Sequence, residues 1–455
     1  MYAVIVLLAA CIGLAWFALT GDGTAGAALP QVALLLGAFV LFFGSGIFIG
    51  AALGLLGLLA GLMFSERPFW AYIGQMVWGP ATNFVLVAVP LFLLMGEIML
   101  RAGSSERLYR SLNTWLRGVP GGLLHTNIAA SSLFSAISGS SVATAATMGS
   151  VALPFFKSAG YSPRMVLGSL AAGGALGNLI PPGLSFIIYA LITDTSVGAL
   201  YLAAVGPSIL VIALFTAIIA WRGGRGNATE GKAAWGERIA ALIGLVPTLV
   251  LVGLVLGTIY AGLATPTESA ALGVVGAVLL AAGERRLTLR MIVESCEATA
   301  RTTSFIGLIL FGAYILNYIL SSLGLPQQMA NVVSGLPLPP WAIMAAIIAL
   351  YLALGTFMEG TSMIVTTIPV IFPLVIALGY DPVWFGVVVT MLIEIAMISP
   401  PDGTVLYVLQ GMRRDGGPIT DVFAGVMPFM AVYILALAIM MLWPDLSLWL
   451  PRVAQ

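Results

Sequence analysis

The sequence has little charge, two cysteines and one histidine. Only 8% of its 455 residues are charged, against about 25% in soluble globular domains. The 18 Lys and Arg balance the 18 Asp and Glu, which leaves no excess of basic charge for nucleic acid. Cys11 and Cys296 lie in unrelated segments and give neither a metal-binding pair nor a disulfide framework. These absences exclude a secreted disulfide scaffold, a nucleic-acid-binding protein and a disordered regulator.

Apolar residues dominate the sequence, with 60% hydrophobic residues and a mean hydropathy of +1.08. A helix needs about 20 apolar residues to cross a bilayer core about 30 Å thick. The sequence therefore predicts an all-α polytopic membrane protein. Its ten predicted full crossings are 2–19, 31–63, 82–100, 163–193, 198–221, 239–260, 268–283, 302–322, 383–411 and 422–443.

Two further apolar stretches, 122–156 and 341–376, are too long for one crossing and have polar centres. The centres are Ser138-Gly139-Ser140-Ser141 and Glu359-Gly360-Thr361-Ser362. Two half-length helices that meet at a polar tip account for both the length and the interruption. We therefore predict two re-entrant helical hairpins.

The basic residues support this topology. With the loop after the third crossing in the cytoplasm and the first hairpin entering and leaving on that side, 16 of the 18 Lys and Arg fall in cytoplasmic loops, and Arg67 and Arg452 remain outside. The first crossing has no basic segment before it and no cleavage site, so we expect a retained helix rather than a signal peptide.

An internal repeat relates the two halves of the chain. Six residues of the first half recur 219 positions later, with no gap. The pairs are Pro154 and Pro373, Gly160 and Gly379, Tyr161 and Tyr380, Pro163 and Pro382, Pro181 and Pro400, and Pro182 and Pro401. Since the two copies enter the membrane from opposite faces, the repeats are predicted to be inverted, which is typical of secondary transporters.

Proline pairs and acidic residues mark where a ligand would bind. Pro181-Pro182 and Pro400-Pro401 lie inside predicted crossings, where proline frees backbone carbonyls or, in the simpler alternative, only kinks the helix. Ionisable residues inside a membrane are costly and are therefore functional candidates. Five acidic residues lie within an apolar segment or at the start of one: Glu97, Glu268, Glu359, Glu394 and Asp402. No Lys or Arg is expected within the membrane to pair with these acids, so a metal cation or a proton is the expected counter-charge. Ser138, Ser141 and Ser399 offer hydroxyl oxygens beside it.

The hairpin tips are the candidate sites for an anion. Free N–H groups and the positive dipole end at a helix N-terminus bind carboxylates without any Arg. The tip residues predicted to hold such a substrate are Ser140, Ser141, Glu359, Thr361 and Ser362.

Ordered motifs of this chain resemble the large membrane subunit of TRAP (tripartite ATP-independent periplasmic) transporters. The resemblance runs from about residue 31 to the end and is carried by Ser138-Gly139-Ser140-Ser141-Val142-Ala143-Thr144-Ala145, Gly160-Tyr161, Leu176-Gly177-Asn178-Leu179-Ile180-Pro181-Pro182, Ala264-Thr265-Pro266-Thr267-Glu268-Ser269-Ala270-Ala271, Gly355-Thr356-Phe357-Met358-Glu359 and Glu394-Ile395-Ala396-Met397-Ile398-Ser399-Pro400-Pro401-Asp402-Gly403.

The resemblance implies a sodium-driven elevator transporter rather than an enzyme, in which a mobile domain with both hairpins carries substrate past a scaffold. It also implies a small four-helix membrane subunit, a periplasmic binding protein that delivers an organic acid such as a dicarboxylate, and a place in the bacterial inner membrane. It implies two Na⁺ sites, built largely from backbone oxygens, and no organic cofactor. The first site comprises Ser135, Ser138, Gly177, Ile180 and Pro181, and the second Gly355, Ala396, Ser399 and Asp402.

The expected domain organisation follows from the repeats and the resemblance. An extra N-terminal helix (1–30) precedes scaffold helices and an interfacial helix (31–120), the first repeat (121–221), a linker with scaffold helices (222–301), the second repeat (302–443) and a C-terminal tail (444–455).

This chain departs from the family pattern at several positions. Gly183 and Glu359 stand where Ser and Asp are commoner, Gly360 follows where Pro is frequent, and Asp402 replaces an apolar residue. The additional acid at position 402 could strengthen cation binding, allow proton coupling or change the choice of substrate.

Three alternatives stay open at this point. A proton-coupled organic-anion transporter and an ion channel would both use the same hairpin architecture. An intramembrane hydrolase would have to use His125, the single histidine, which has no catalytic or metal-binding partner at a suitable spacing.

Overall fold

A computed structural model of the chain describes residues 37–38, 41–42, 47–64, 69–156, 160–223, 231, 233–324, 327, 337–356, 358–413 and 415–454. The regular elements in this part of the chain are helices, with no strand among them, which confirms the predicted all-α class. The predicted first crossing (2–19), the extra N-terminal helix and most of residues 31–46 lie outside the described residues.

The described part of the chain contains the following helices in sequence order. They are α1 (Ile49–Phe64), α2 (Trp70–Ala81), α3 (Ala88–Arg101), α4 (Ser104–Leu116), α5 (Gly122–Ser138), α6 (Ser141–Phe156), α7 (Pro163–Gly174), α8 (Leu184–Thr193), α9 (Val197–Gly223), α10 (Trp235–Leu242), α11 (Val246–Tyr260), α12 (Pro266–Gly283), α13 (Leu289–Ser322), α14 (Pro340–Leu354), α15 (Gly360–Ala377), α16 (Pro382–Met397), α17 (Thr404–Met412), α18 (Ile419–Leu442) and α19 (Asp445–Ala454).

Six described helices are long and apolar enough to cross a membrane, and the pair α10 and α11, bent by 45°, makes a seventh. They are α3 with the turn before it, α9, α12, α13, α15 and α18. Large apolar side chains such as Leu254, Val275 and Leu279 are exposed on these helices, as expected where lipid is the solvent. The described residues are therefore those of a multi-pass membrane protein.

The structure interrupts two of the predicted crossings at their proline pairs. The predicted crossings 163–193 and 383–411 are each divided into two short helices, α7 with α8 and α16 with α17. The breaks contain the two proline pairs, whose missing N–H groups cannot continue a helix, and both Pro-Pro peptide bonds are cis. In addition α15, predicted as half of a hairpin, has 18 residues and is long enough to cross by itself.

The described chain divides into two compact units. The first comprises the described residues within 37–83, 302–343 and 364–380. In it α1 packs closely on the part of α13 that follows Thr302: a Cβ atom on Gly57 would lie only 2.8 Å from the backbone nitrogen of Leu316. Glycine at this position lets the two helix backbones approach, as is common in membrane proteins.

The second unit comprises residues 84–301, 344–363 and 381–455 and contains both proline breaks. Its main packing pairs are α7 with α18, α3 with α12, and α9 with α19. The helices α5 and α6 both pack against α7. A buried polar chain fixes α4, α5 and α7 together, because Tyr109 donates to Asn127 (2.8 Å) and Asn127 donates to Ser169 (2.8 Å).

The helices α5 and α6 fold back on each other. Adjacent residues of α7 meet both of them, since a Cβ atom on Gly173 would lie 2.4 Å from Ser131 of α5 and one on Gly174 would lie 2.8 Å from Ala145 of α6. In one continuous helix those two residues would be about 21 Å apart. The segment is therefore a hairpin with its tip at Gly139 and Ser140, and its depth in a membrane stays a prediction.

The internal repeat has a structural counterpart. The helices α6 and α15 begin at Ser141 and Gly360, and α7 and α16 begin at Pro163 and Pro382, again 219 residues apart. However, α16 continues to Met397, four residues beyond the position that corresponds to the end of α7. The inversion of the repeats and the domain boundaries stay predictions.

The close packing of α7 on α18 provides a test of the fold. A Cβ atom on Gly168 would lie 2.1 Å from the backbone oxygen of Gly425, which cannot move without its helix. We expect Gly168→Ala to destabilise the protein by roughly 1–3 kcal/mol through overpacking, measured as a lower melting temperature in detergent. Gly257→Ala is the matched control, because no described atom lies within 4 Å of its new methyl group. An equal melting temperature for the two variants would contradict this packing.

Candidate functional site

The first hairpin tip and the first proline break lie against each other. Gly139 ends α5 in the left-handed conformation (φ 59°), which glycine adopts without strain, and its N–H donates to the backbone oxygen of Ser135 (2.9 Å). Its own oxygen accepts from the N–H of Leu184 (3.2 Å), where α8 begins. A Cβ atom on Gly177 would lie 2.3 Å from the backbone of Ser141. The tip is thus held directly against the unwound segment.

The residues predicted for the first cation site surround this contact. Ser138 shares a hydrogen bond with Thr144 (2.8 Å), and the Ser135 hydroxyl is buried with no hydrogen-bond partner among the described residues. Among the described residues, no group donates a hydrogen bond to the backbone oxygens of Gly177, Ile180 or Pro181. Oxygens without a described donor favour a cation that takes oxygen ligands.

The residues predicted for the second cation site belong to the second proline break and the end of α14. Gly355 packs on Ala396, since a Cβ atom at position 355 would lie 2.4 Å from the Ala396 methyl group. The Ser399 backbone oxygen accepts from Gly403 (2.9 Å), and its hydroxyl lies 3.4 Å from the Pro400 oxygen. Asp402 is exposed and has no hydrogen bond or ion pair with a described residue.

The residues predicted to hold an anion are only partly available. Ser141 is fully buried and its hydroxyl donates to a carboxylate within the protein. The Ser362 N–H and hydroxyl donate to Glu359 (3.1 and 3.2 Å), so Glu359 already caps the start of α15. Ser140 and Thr361 remain half-buried at the two helix starts.

The carboxylate that accepts from Ser141 belongs to Glu394, in the last turn of α16. It accepts from the Ser141 hydroxyl at 2.6 and 2.8 Å and from the Asn178 N–H at 3.1 Å. The Asn178 amide in turn donates to Ser141 (2.8 Å). Glu394 is fully buried, and no ion pair of the described residues includes it.

The last turn of α16 also contacts the second tip. A Cβ atom on Gly360 would lie 2.3 Å from Ile393, while the next residue, Glu394, binds Ser141 of the first tip. One helical turn of the second repeat therefore meets both tips, and two residues later it reaches Gly355 through Ala396.

Sequence reasoning marked Glu394 as an acid inside an apolar segment but left Glu394 and Asn178 out of the predicted sites. Both residues stand in the motifs that carry the family resemblance, directly before each broken segment or within it. Their position in these motifs was the only signal in the sequence that pointed to them. The sequence could not show that Glu394 pairs with Ser141, because positions 141 and 394 are 253 residues apart.

Two other acids have ordinary structural partners. Glu97 lies 3.4 Å from Arg101, so the expectation that it lacks a cationic partner is wrong; residues four apart on a helix share a face. Glu268 forms a capping box with Thr265 at the start of α12. No group of three or more His, Cys, Asp or Glu able to hold a metal ion occurs within the described ranges.

Comparison with known proteins gives a consistent family. Residues 36–446 match the family described as "Tripartite ATP-independent periplasmic transporter, DctM component". The chain is 32% identical to the sialic acid TRAP transporter large permease SiaM of Vibrio cholerae, over 87% of this chain and 92% of that protein. It is 32% identical to the C4-dicarboxylate large permease DctM of Rhodobacter capsulatus (82% and 88%) and to the ectoine large permease TeaC of Halomonas elongata (81% and 86%).

A solved structure shares the fold. The YdaH transporter of Alcanivorax borkumensis, whose topology is described as unusual, aligns with a TM-score of 0.60 and 19% identity over 91% of this chain and 99% of that one. Large permeases of the TRAP family work with a small membrane subunit and a periplasmic binding protein, and they are transporters rather than enzymes.

The contact between the first tip and the first break gives a prediction. Gly177→Ala places a methyl group 2.3 Å from the backbone of Ser141, so the tip has to move away. We expect substrate uptake into proteoliposomes to fall at least about tenfold, because overpacking at this contact should cost roughly 1.4 kcal/mol or more. Gly253→Ala, with no described atom within 4 Å, should retain full uptake. Wild-type uptake by Gly177→Ala would show that this contact is not needed for transport.

Proposed function

Because the chain belongs to the TRAP transporter family as a large permease, we propose that it drives sodium-coupled uptake of a small organic acid. A periplasmic binding protein delivers the substrate, and a small membrane subunit assembles with the chain in the bacterial inner membrane. The observation that carries the proposal is the first tip packed against the first break, with a buried Ser135 hydroxyl and free backbone oxygens beside it.

Sodium is the cation that these ligands favour. Unwound backbone carbonyls and helix C-termini at matching positions of two repeats are the sodium ligands of secondary transporters. The carbonyls of Gly177, Ile180 and Pro181 have no described donor, and Ser135 and Ser138 add hydroxyl oxygens. The second site would use the oxygens of Gly355, Ala396 and Ser399 with the carboxylate of Asp402.

The substrate is a small organic acid because helix starts, rather than arginines, face the expected site. The start of α6 presents a positive dipole end with Ser140 half-buried beside it, and Thr361 is half-buried at the start of α15, which Glu359 already caps. Relatives named for sialic acid and for C4-dicarboxylates carry acids of different size, and one is named for ectoine. We therefore assign the class of substrate and leave its identity to the binding protein.

The transport step is an elevator movement. Both proline breaks, the first hairpin and the tip of the second share the second compact unit with predicted scaffold helices such as α3 and α12. The contacts of α16 with both tips let these elements move as one body that carries cation and substrate together.

Serine substitutions at the two cation sites test the proposal. We expect Ser138→Ala and Ser399→Ala each to raise the sodium concentration for half-maximal uptake about tenfold, since losing one ligand costs roughly 1.4 kcal/mol. The measurement is sodium-dependent uptake in proteoliposomes supplied with the small subunit and the loaded binding protein. Ser132→Ala and Ser150→Ala are matched controls, because each hydroxyl bonds to its own helix. Unchanged sodium dependence in both site variants would refute the site assignment.

Proton coupling is the second candidate function, and the position of Asp402 favours testing it. Its carboxylate is exposed, unpaired within the described residues and three positions after Ser399. If Asp402 carries a proton through the cycle, uptake by the wild type depends on pH and Asp402→Asn removes that dependence. The same uptake assay, repeated at saturating sodium between about pH 5 and pH 8, decides it. An identical pH profile for wild type and variant would eliminate the proton role of Asp402.

A further inference from the structure

Glu394 links elements that are far apart in the sequence. Its carboxylate binds the first tip through Ser141 and the first break through the Asn178 N–H. Its backbone lies in α16, two residues before Ala396 of the predicted second cation site. Asn178 directly follows Gly177 of the predicted first site. One side chain therefore connects the surroundings of both sites.

The charge of Glu394 has no basic partner. It is the one fully buried carboxylate among the described residues, and its donors are the hydroxyl of Ser141 and the N–H of Asn178. Tyr433 of α18 is close enough to interact with it electrostatically. Hydrogen bonds to a carboxylate stabilise it, but a buried charge without a counter-ion remains costly. A cation bound beside Asn178 would supply the missing charge.

The repeat explains why this link exists once. The position that corresponds to Glu394 in the first repeat is Ala175, which has no carboxylate to reach the second tip. There, Ile393 instead contacts Gly360 by packing alone. The longer α16 keeps Glu394 helical and aims it at the first tip, whereas α7 ends at Gly174.

We propose that Glu394 is the positioning residue that couples the two cation sites. A cation at the second site fixes the end of α16, and this places the carboxylate where it holds Asn178 and Ser141 for the first cation. A cation at the first site neutralises the carboxylate and holds α16 in return. Binding at either site therefore favours binding at the other. This inference rests on the proposed sodium coupling.

A charge-removing substitution separates this role from a purely structural one. In Glu394→Gln the amide oxygen still accepts from Asn178, and Ser141 can accept from the new amide group, so the link persists without its charge. A structural residue would then leave sodium binding unchanged. The variant Ser141→Ala does the reverse, because it keeps the charge and removes one of the two contacts.

The experiment is a sodium titration of the purified full-length chain, with melting temperature as the readout and choline chloride at equal ionic strength as the control. We expect sigmoidal binding by the wild type, with a Hill coefficient approaching about 2 for two coupled sites, and a value of about 1 in Glu394→Gln. The sodium concentration for half-maximal stabilisation should rise about tenfold. Ser141→Ala should also lower the Hill coefficient. Glu97→Gln removes an acid that is paired with Arg101 at the protein surface and should titrate like the wild type.

Each outcome decides the matter. Sigmoidal binding in the wild type, Glu394→Gln and Ser141→Ala alike would overturn the coupling role and leave sodium coupling intact. A wild type that sodium does not stabilise beyond choline would overturn the proposed sodium coupling and this inference with it. If Glu394→Gln does not fold, unchanged cooperativity in Ser141→Ala overturns the inference, and lost cooperativity supports it.

Discussion

The structure depends on one constraint, which is that every polar backbone group inside a membrane needs a partner. Continuous helices meet this requirement by themselves, and α9 and α18 are examples. The two proline breaks do not, because proline has no N–H and ends the helix around it. Around each break, groups from other segments must therefore supply the missing hydrogen-bond partners. The packing of the second unit provides them.

At the first break the missing partners come from the hairpin tip. Leu184 donates to Gly139, and Gly177 lies against the backbone of Ser141, so the break and the tip complete one another. Several carbonyls still have no described donor, and these oxygens are what a cation would use. The break that interrupts the helix thus leaves the oxygens that the proposed cation site uses.

Glu394 extends this argument from one break to two. Burying a carboxylate is costly unless hydrogen-bond donors surround it. The donors to Glu394 come from the other repeat. The two copies are consequently not equivalent: the first offers the tip and the N–H of Asn178, and the second offers the charge. Family membership establishes that the chain is a transporter, whereas this asymmetry concerns how its two halves act together.

The sequence alone determined the helical class, the membrane setting, the repeat and the positions of both breaks. Each of these is local: apolar length, proline chemistry and a constant spacing of 219 residues are visible without any contact. The tertiary structure decided which groups meet. It paired Glu97 with Arg101, used Glu359 as a helix cap, and joined Glu394 to Ser141 across 253 residues. Such contacts depend on how helices pack, and a hydropathy pattern records which segments are buried but not which side chains face one another.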